Sequence, residues 1–198
     1  MHQFCEKEPG LLKALSLDLI RFLRLAPAVA ALASTAALAA DDGKVMETTV
    51  QVRDGVVKID ACAYTRSSPL DAWQLLADYE SLPSYMPNMD TSRVVTRTDS
   101  SVLVRQVISS WLVLPWTFRV NLEFFETAPA LLRFRQHDGR GGYEGQWSVE
   151  SAASGAKISY DAEAEPDMLL PDFIIAYVVR RQIGRMMQAF IDELDRRG

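Results

Sequence analysis

From residue 116 to residue 124 apolar and polar side chains alternate without a break. Trp116, Phe118, Val120, Leu122 and Phe124 are interleaved with Thr117, Arg119, Asn121 and Glu123. A two-residue period sends successive side chains to opposite faces of a strand, so this segment has one face to bury and one to leave in water. Similar signals surround it. Arg93 to Thr98 and Val102 to Ser109 precede it. Leu132 to His137, then Tyr143 to Val149, then Ile158 to Ala164 follow. The connections are short, which implies antiparallel neighbours. A sheet with one apolar face needs something to cover that face, and the rest of the chain has to supply it.

The cover stands at the C-terminal end. After Pro171, the residues Ala176, Val179, Ile183, Met187, Phe190 and Leu194 recur at spacings of three and four and make one apolar stripe of a long helix. Arg180, Arg181, Arg185 and Asp192 lie mostly elsewhere on its circumference. Ahead of the strand series, Val50 and Val52, then Asp54-Gly55, then Val57, Ile59, Ala61 and Ala63 predict a hairpin around a tight turn. Ser68, Pro69 and Asp71 suit the cap, first position and first turn of a helix that buries Trp73, Leu76 and Ala77. Residues 79–87, interrupted by Pro83 and Pro87, predict a short helix or turn. The fold class is α+β: a curved antiparallel sheet wrapped around one long helix.

Residues 1–39 have a different grammar. Lys13, Arg21 and Arg24 precede the apolar run Leu25–Ala37, and Ala37-Leu38-Ala39 supplies small residues for cleavage. This predicts a secretory signal peptide, bacterial export and a periplasmic or secreted mature protein beginning near Ala40. Residues 40–46 are then a short linker and residues 47–198 the domain. The run is too short for a membrane span, which needs about 20 apolar residues. Without its four basic and three acidic residues, the remainder carries 17 basic and 23 acidic side chains. No basic stripe remains to meet a phosphate backbone, so nucleic acid is excluded as a partner. If Cys5 leaves with the leader, Cys62 is expected to be a lone, packed residue.

The element order resembles the helix-grip fold of the START-like superfamily, and the local sequence is similar to its cyclase/dehydrase and coenzyme Q-binding branch. Asp78-Tyr79-Glu80-Ser81-Leu82-Pro83-Ser84-Tyr85-Met86-Pro87 resembles that branch's segment after the first helix. Phe134-Arg135-Gln136 with Tyr143-Glu144-Gly145-Gln146-Trp147 resembles its central strand pair. Glu165-Pro166, an apolar loop and Arg180-Arg181 resemble the approach to its last helix. The likeness spans residues 47 to 196. It implies a cavity for lipids, quinones, sterols or polyketides more firmly than it implies a reaction.

No catalytic set stands out. His137 is the one histidine beyond the leader, and by strand parity it shares the face of Arg133 and Arg135, the solvent side. One His and one Cys make no zinc set, Gly139, Gly141 and Gly142 read as a turn, and Glu163 and Glu165 point outward. Neither a metal nor a cofactor is expected. The candidate ligand-binding residues are Phe118, Phe134, Gln136, Trp147 and Tyr160 on the concave face, opposite Ile183 and Met187, with Arg180 at the flank of the helix. Gln136 and Tyr160 are the polar groups among them. The same side chains would equally fill an ordinary core. Trp111, Leu112, Leu114 and Trp116, with Met168, Leu169 and Leu170, are apolar where loops are normally polar. They form a candidate cavity mouth or membrane contact. The leading expectation is an exported carrier of an apolar small molecule. The alternatives are an aromatic cyclase or dehydratase, or a protein-docking module with a filled core.

Overall fold

The computed structural model describes residues 46–110, 116–138, 142–166 and 170–198, without the side chains of Ser110 and Trp116. The expected leader and all but the last residue of the expected linker lie outside the described residues. Two strands, β1 (Met46–Arg53) and β2 (Val56–Thr65), open the fold, followed by helix α1 (Pro69–Ala77) and a 3-10 turn at Leu82–Ser84. Six strands come next: β3 (Met89–Arg97), β4 (Val102–Ser110), β5 (Trp116–Thr127), β6 (Leu131–Gln136), β7 (Tyr143–Ala152) and β8 (Gly155–Ala164). Helix α2 (Asp172–Arg197) closes the chain.

All eight strands form one antiparallel sheet in the order β1-β2-β8-β7-β6-β5-β4-β3. The segment from α1 to the 3-10 turn carries the chain from β2 to the far edge. From β3 the chain then meanders back, strand by strand, until β8 pairs with β2. This is the helix-grip arrangement, with a curved sheet and α2 across it.

Local chemistry explains most boundaries. Asp54 and Gly55 both take positive φ, 53° and 79°, which a two-residue hairpin turn requires, and Arg53 pairs with Val56 across it. Ser68 caps α1 by accepting the Asp71 backbone N–H at 3.1 Å, and Pro69 occupies the first helical position. Tyr79, Leu82 and Met86 of the following segment turn into the core, with the Tyr79 ring 4.7 Å from Phe124. The third strand begins at Met89, earlier than its sequence pattern predicts. Register shifts between Met89 and Thr91 and between Val94 and Thr96 break the alternation that would have revealed it.

The inner face carries the core. Val57, Ile59, Ala61 and Ala63 of β2, Ile158, Tyr160 and Ala162 of β8, Trp147 and Val149 of β7, and Val120, Leu122 and Phe124 of β5 are all buried. Against them α2 buries Ile175, Ile183, Met187, Phe190, Ile191 and Leu194, while Ala176 and Val179 are half-buried. Cys62 is buried as expected, but it is disulfide-bonded. The expectation of a lone thiol is thereby corrected.

Glu193 lies on the buried side of α2, where an apolar residue would be expected. Arg196 donates to both its carboxylate oxygens, at 2.6 and 2.7 Å, and Arg197 donates at 2.8 Å. Arg197 also reaches Asp78, at the C-terminal end of α1, at 3.5 Å. The clamp therefore joins the ends of the two helices, and its hydrogen bonds hold the Glu193 carboxyl down at about 2. A depressed acid stabilises the fold above its unfolded pKa, near 4.5, and loses that contribution as pH falls toward about 2. Denaturant titrations of Glu193→Gln are expected to show stability lower by on the order of 1 kcal/mol at pH 7. Between pH 5 and 2 the variant should also lose less stability than the parent.

Candidate functional site

The concave face is organised by register. One row across the sheet runs Ile59, Ala162, Gly145, Phe134, Phe124, Val102; the row beside it runs Ala61, Tyr160, Trp147, Leu132. The small pair Ala162 and Gly145 thus sits beside the rings of Phe134 and Phe124 in one row and beside Tyr160 and Trp147 in the next. At Gly145 the strands approach so closely that a Cβ would collide with the Asp161 carbonyl oxygen and with Ala162. Only glycine fits there, and no side chain rises from the centre of the sheet at that point.

Rings stand around Gly145 and form a connected wall. From Phe124 the series continues to Phe134 at 5.9 Å, then to Tyr160 at 6.1 Å in a stacked arrangement. From Tyr160 it reaches Trp147 at 4.6 Å, and from Trp147 it reaches Phe190 of α2 at 5.9 Å. The wall therefore crosses β5, β6, β8 and β7 and ends on the helix. Aromatic side chains give large apolar area with few rotatable bonds, which suits a rigid binding surface as well as it suits a core.

Set into the wall are two phenols. Tyr143 and Tyr160 stand on either side of the Gly145–Ala162 pair, and their hydroxyl oxygens meet at 2.6 Å. Burial pushes both hydroxyls above their ordinary pKa, and for Tyr160 the nearby Tyr143 adds to the effect. Both are neutral hydroxyls at any ordinary pH.

The expected site residues divide into three groups. Phe134, Trp147, Tyr160, Ile183 and Met187 are buried, and the first three are joined through ring contacts. Phe118 and Gln136 are half-buried, and the Gln136 amide donates to the Asp138 carbonyl at the end of its own strand. Arg180 is exposed. Of the expected mouth, Leu170 is half-buried against the core. Trp111, Leu112, Leu114, Met168 and Leu169 lie outside the described residues, as does the side chain of Trp116. His137 is exposed, with its Nδ1 4.0 Å from Glu123, on the same outer face as Arg133 and Arg135. Among the described residues no group of three or more His, Cys, Asp or Glu side chains could hold a metal.

Sequence reasoning missed the role of Tyr143. The signal was present, because two tyrosines of matching inward parity lie on strands joined by a tight turn. Their meeting depends on the exact pairing of Gly145 with Ala162. It also missed two apolar side chains facing solvent on the first turns of α2: Phe173 is 71% and Tyr177 60% exposed. Their i, i+4 spacing continues to Arg181, which donates to the Tyr177 hydroxyl at 3.1 Å, and Arg180 and Arg185 are exposed nearby.

A groove of about 990 Å³ lies elsewhere, between α1 and the last turns of α2. Its polar lining is largely engaged internally: Ser68 with Asp71, and Arg197 with Glu193 and Asp78. The aromatic wall is the better candidate.

The sequence model of one family, described as polyketide cyclase / dehydrase and lipid transport, matches residues 67–191. None of the curated proteins matches the chain. Several solved structures share the fold. A STAR-related lipid transfer protein from Xanthomonas axonopodis is 17% identical with a TM-score of 0.63, over 78% of this chain and 99% of that one. Human STARD10 is 14% identical with a TM-score of 0.60, over 79% and 74%. The Zhui aromatase/cyclase from Streptomyces sp. R1128 is 15% identical with a TM-score of 0.58, over 77% and 96%.

Proposed function

We propose, starting from the fact that the chain belongs to the polyketide cyclase / dehydrase and lipid transport family, that it binds and carries an apolar small molecule between the aromatic wall and α2. The observation that supports this reading is the wall itself: rings from four strands and the helix around a glycine and alanine floor, with one neutral hydroxyl pair as its polar feature. Desolvation would supply the affinity, at roughly 25 cal/mol per Å² of apolar surface removed from water before the costs of association. A quinone or a lipid of similar bulk suits such a surface.

A cyclase or dehydratase needs a positioned acid or base beside its substrate. Here the histidine faces solvent, and the two phenols of the wall are held protonated. The first of these favours carriage over catalysis. Residues 1–39 would direct export, placing the carrier in the periplasm or outside the cell.

Loading would take place at a lipid surface, through the N-terminal half of α2. Phe173 and Tyr177 are apolar anchors in solvent, and Arg180, Arg181 and Arg185 beside them suit anionic headgroups. Sedimentation with vesicles of phosphatidylglycerol and phosphatidylethanolamine is expected to capture the protein. A Phe173→Ala/Tyr177→Ala variant should then bind several-fold more weakly, and equal capture of the two proteins would contradict this route.

The carrier reading is tested with N-phenyl-1-naphthylamine, whose fluorescence rises in apolar surroundings. Ala176 and Val179 are half-buried on the face of α2 that meets the sheet, so a larger side chain there occupies ligand space without burying a charge. Ala176→Phe and Val179→Phe are expected to weaken probe binding by about tenfold, a loss of about 1.4 kcal/mol, while the circular dichroism spectrum stays that of the parent. Undiminished binding in both folded variants would show that the probe sits elsewhere.

A further inference from the structure

We propose that the Tyr143–Tyr160 hydroxyl pair is a specificity element, donating a hydrogen bond to one neutral acceptor oxygen, such as a ketone, quinone or ester carbonyl, on the bound molecule. The inference rests on the reading above, that an apolar molecule lies between the wall and α2.

The argument is a count of protons. Each phenol carries one O–H and can also accept. Two hydroxyls 2.6 Å apart share a single hydrogen bond, which uses one of the two protons. Whichever phenol accepts, its own proton is directed away from the pair and has no other acceptor among the described residues. Leaving such a donor unsatisfied in an apolar surround is costly, and the immediate neighbours are the rings of Phe134 and Trp147. Tyr143 is half-buried as a whole residue, and Tyr160 is buried. An acceptor oxygen on the ligand would satisfy the donor and complete the pair.

Electrostatics narrows the class. Both phenols stay protonated, so the pair remains a donor across the physiological range. A phenol that already accepts one hydrogen bond is also a stronger donor in turn. Arg180 is exposed, and among the described residues no arginine is buried in the wall to meet a carboxylate. The geometry therefore favours an uncharged oxygen over an anion, and a molecule with an oxygen over a plain hydrocarbon. The phenols act by positioning and selecting the ligand.

The test compares two probes of nearly equal shape, 2-acetylnaphthalene and 2-ethylnaphthalene, on the parent and on the double variant Tyr143→Phe/Tyr160→Phe. Removing both hydroxyls together leaves no orphaned partner, whereas either single change would, so the double variant is the one expected to keep the parental fold. Binding is followed by calorimetry. The ratio of ketone to hydrocarbon affinity is expected to fall about fivefold in the double variant, with the hydrocarbon bound as tightly as before. The infrared carbonyl stretch of the bound ketone should lie lower in the parent than in the variant. An unchanged ratio with an unchanged stretch overturns the proposal while leaving the carrier reading standing. Failure of both probes to bind the parent overturns the carrier reading and this proposal together.

Discussion

One helix has to cover the inner face of an eight-stranded sheet, and that mismatch of area shapes the molecule. Strands lie about 4.8 Å apart, so eight of them span roughly 34 Å if flat. An α-helix with its side chains is about 10–12 Å across. Curvature brings the two edges toward α2, and the segment after α1 turns Tyr79, Leu82 and Met86 inward to cover more. The largest side chains of the inner face, Phe124, Phe134, Trp147 and Tyr160, stand on the four middle-lying strands β5, β6, β7 and β8 and are buried. Their contact with α2 through Trp147 and Phe190 makes the wall and the helix one packing unit. Such an arrangement is suited to a molecule that takes up the remaining space, which is the function proposed here.

The floor of this space depends on particular small residues. Gly145 permits β7 and β8 to approach closely, and Ala162 beside it keeps the surface low. A larger residue at Gly145 would push the two strands apart. The same closeness sets Tyr143 diagonally from Tyr160 and brings their hydroxyls together. Backbone spacing, ring placement and polar chemistry are thus coupled at one point of the sheet.

How far the sequence revealed this depends on the range of the interaction. Asp54-Gly55, the Ser68 cap and the alternation of β5 act within a few residues, and each was legible. So was the stripe of α2, although Ile175 and Ile191 widen it beyond the expected positions. Phe134, Trp147, Tyr160, Ile183 and Met187 were recognised as inward-facing from parity and spacing alone. The bulged β3 was not fully legible, because its register shifts erase the period that identifies a strand. Glu193 was hidden for another reason: a charge on a buried face is tolerated only through its arginine partners, and those are visible only in three dimensions. The phenol pair depends on inter-strand register, which no single segment encodes. Exposed Phe173 and Tyr177 lie off the apolar stripe, which identifies only the face a helix buries.

The central claim is that this protein carries an apolar molecule, and native mass spectrometry of the protein purified without detergent tests it most directly. The account expects a one-to-one adduct that organic extraction releases as a neutral, oxygen-bearing apolar compound. A bare polypeptide mass that gains no adduct after incubation with a lipid and quinone extract would contradict it.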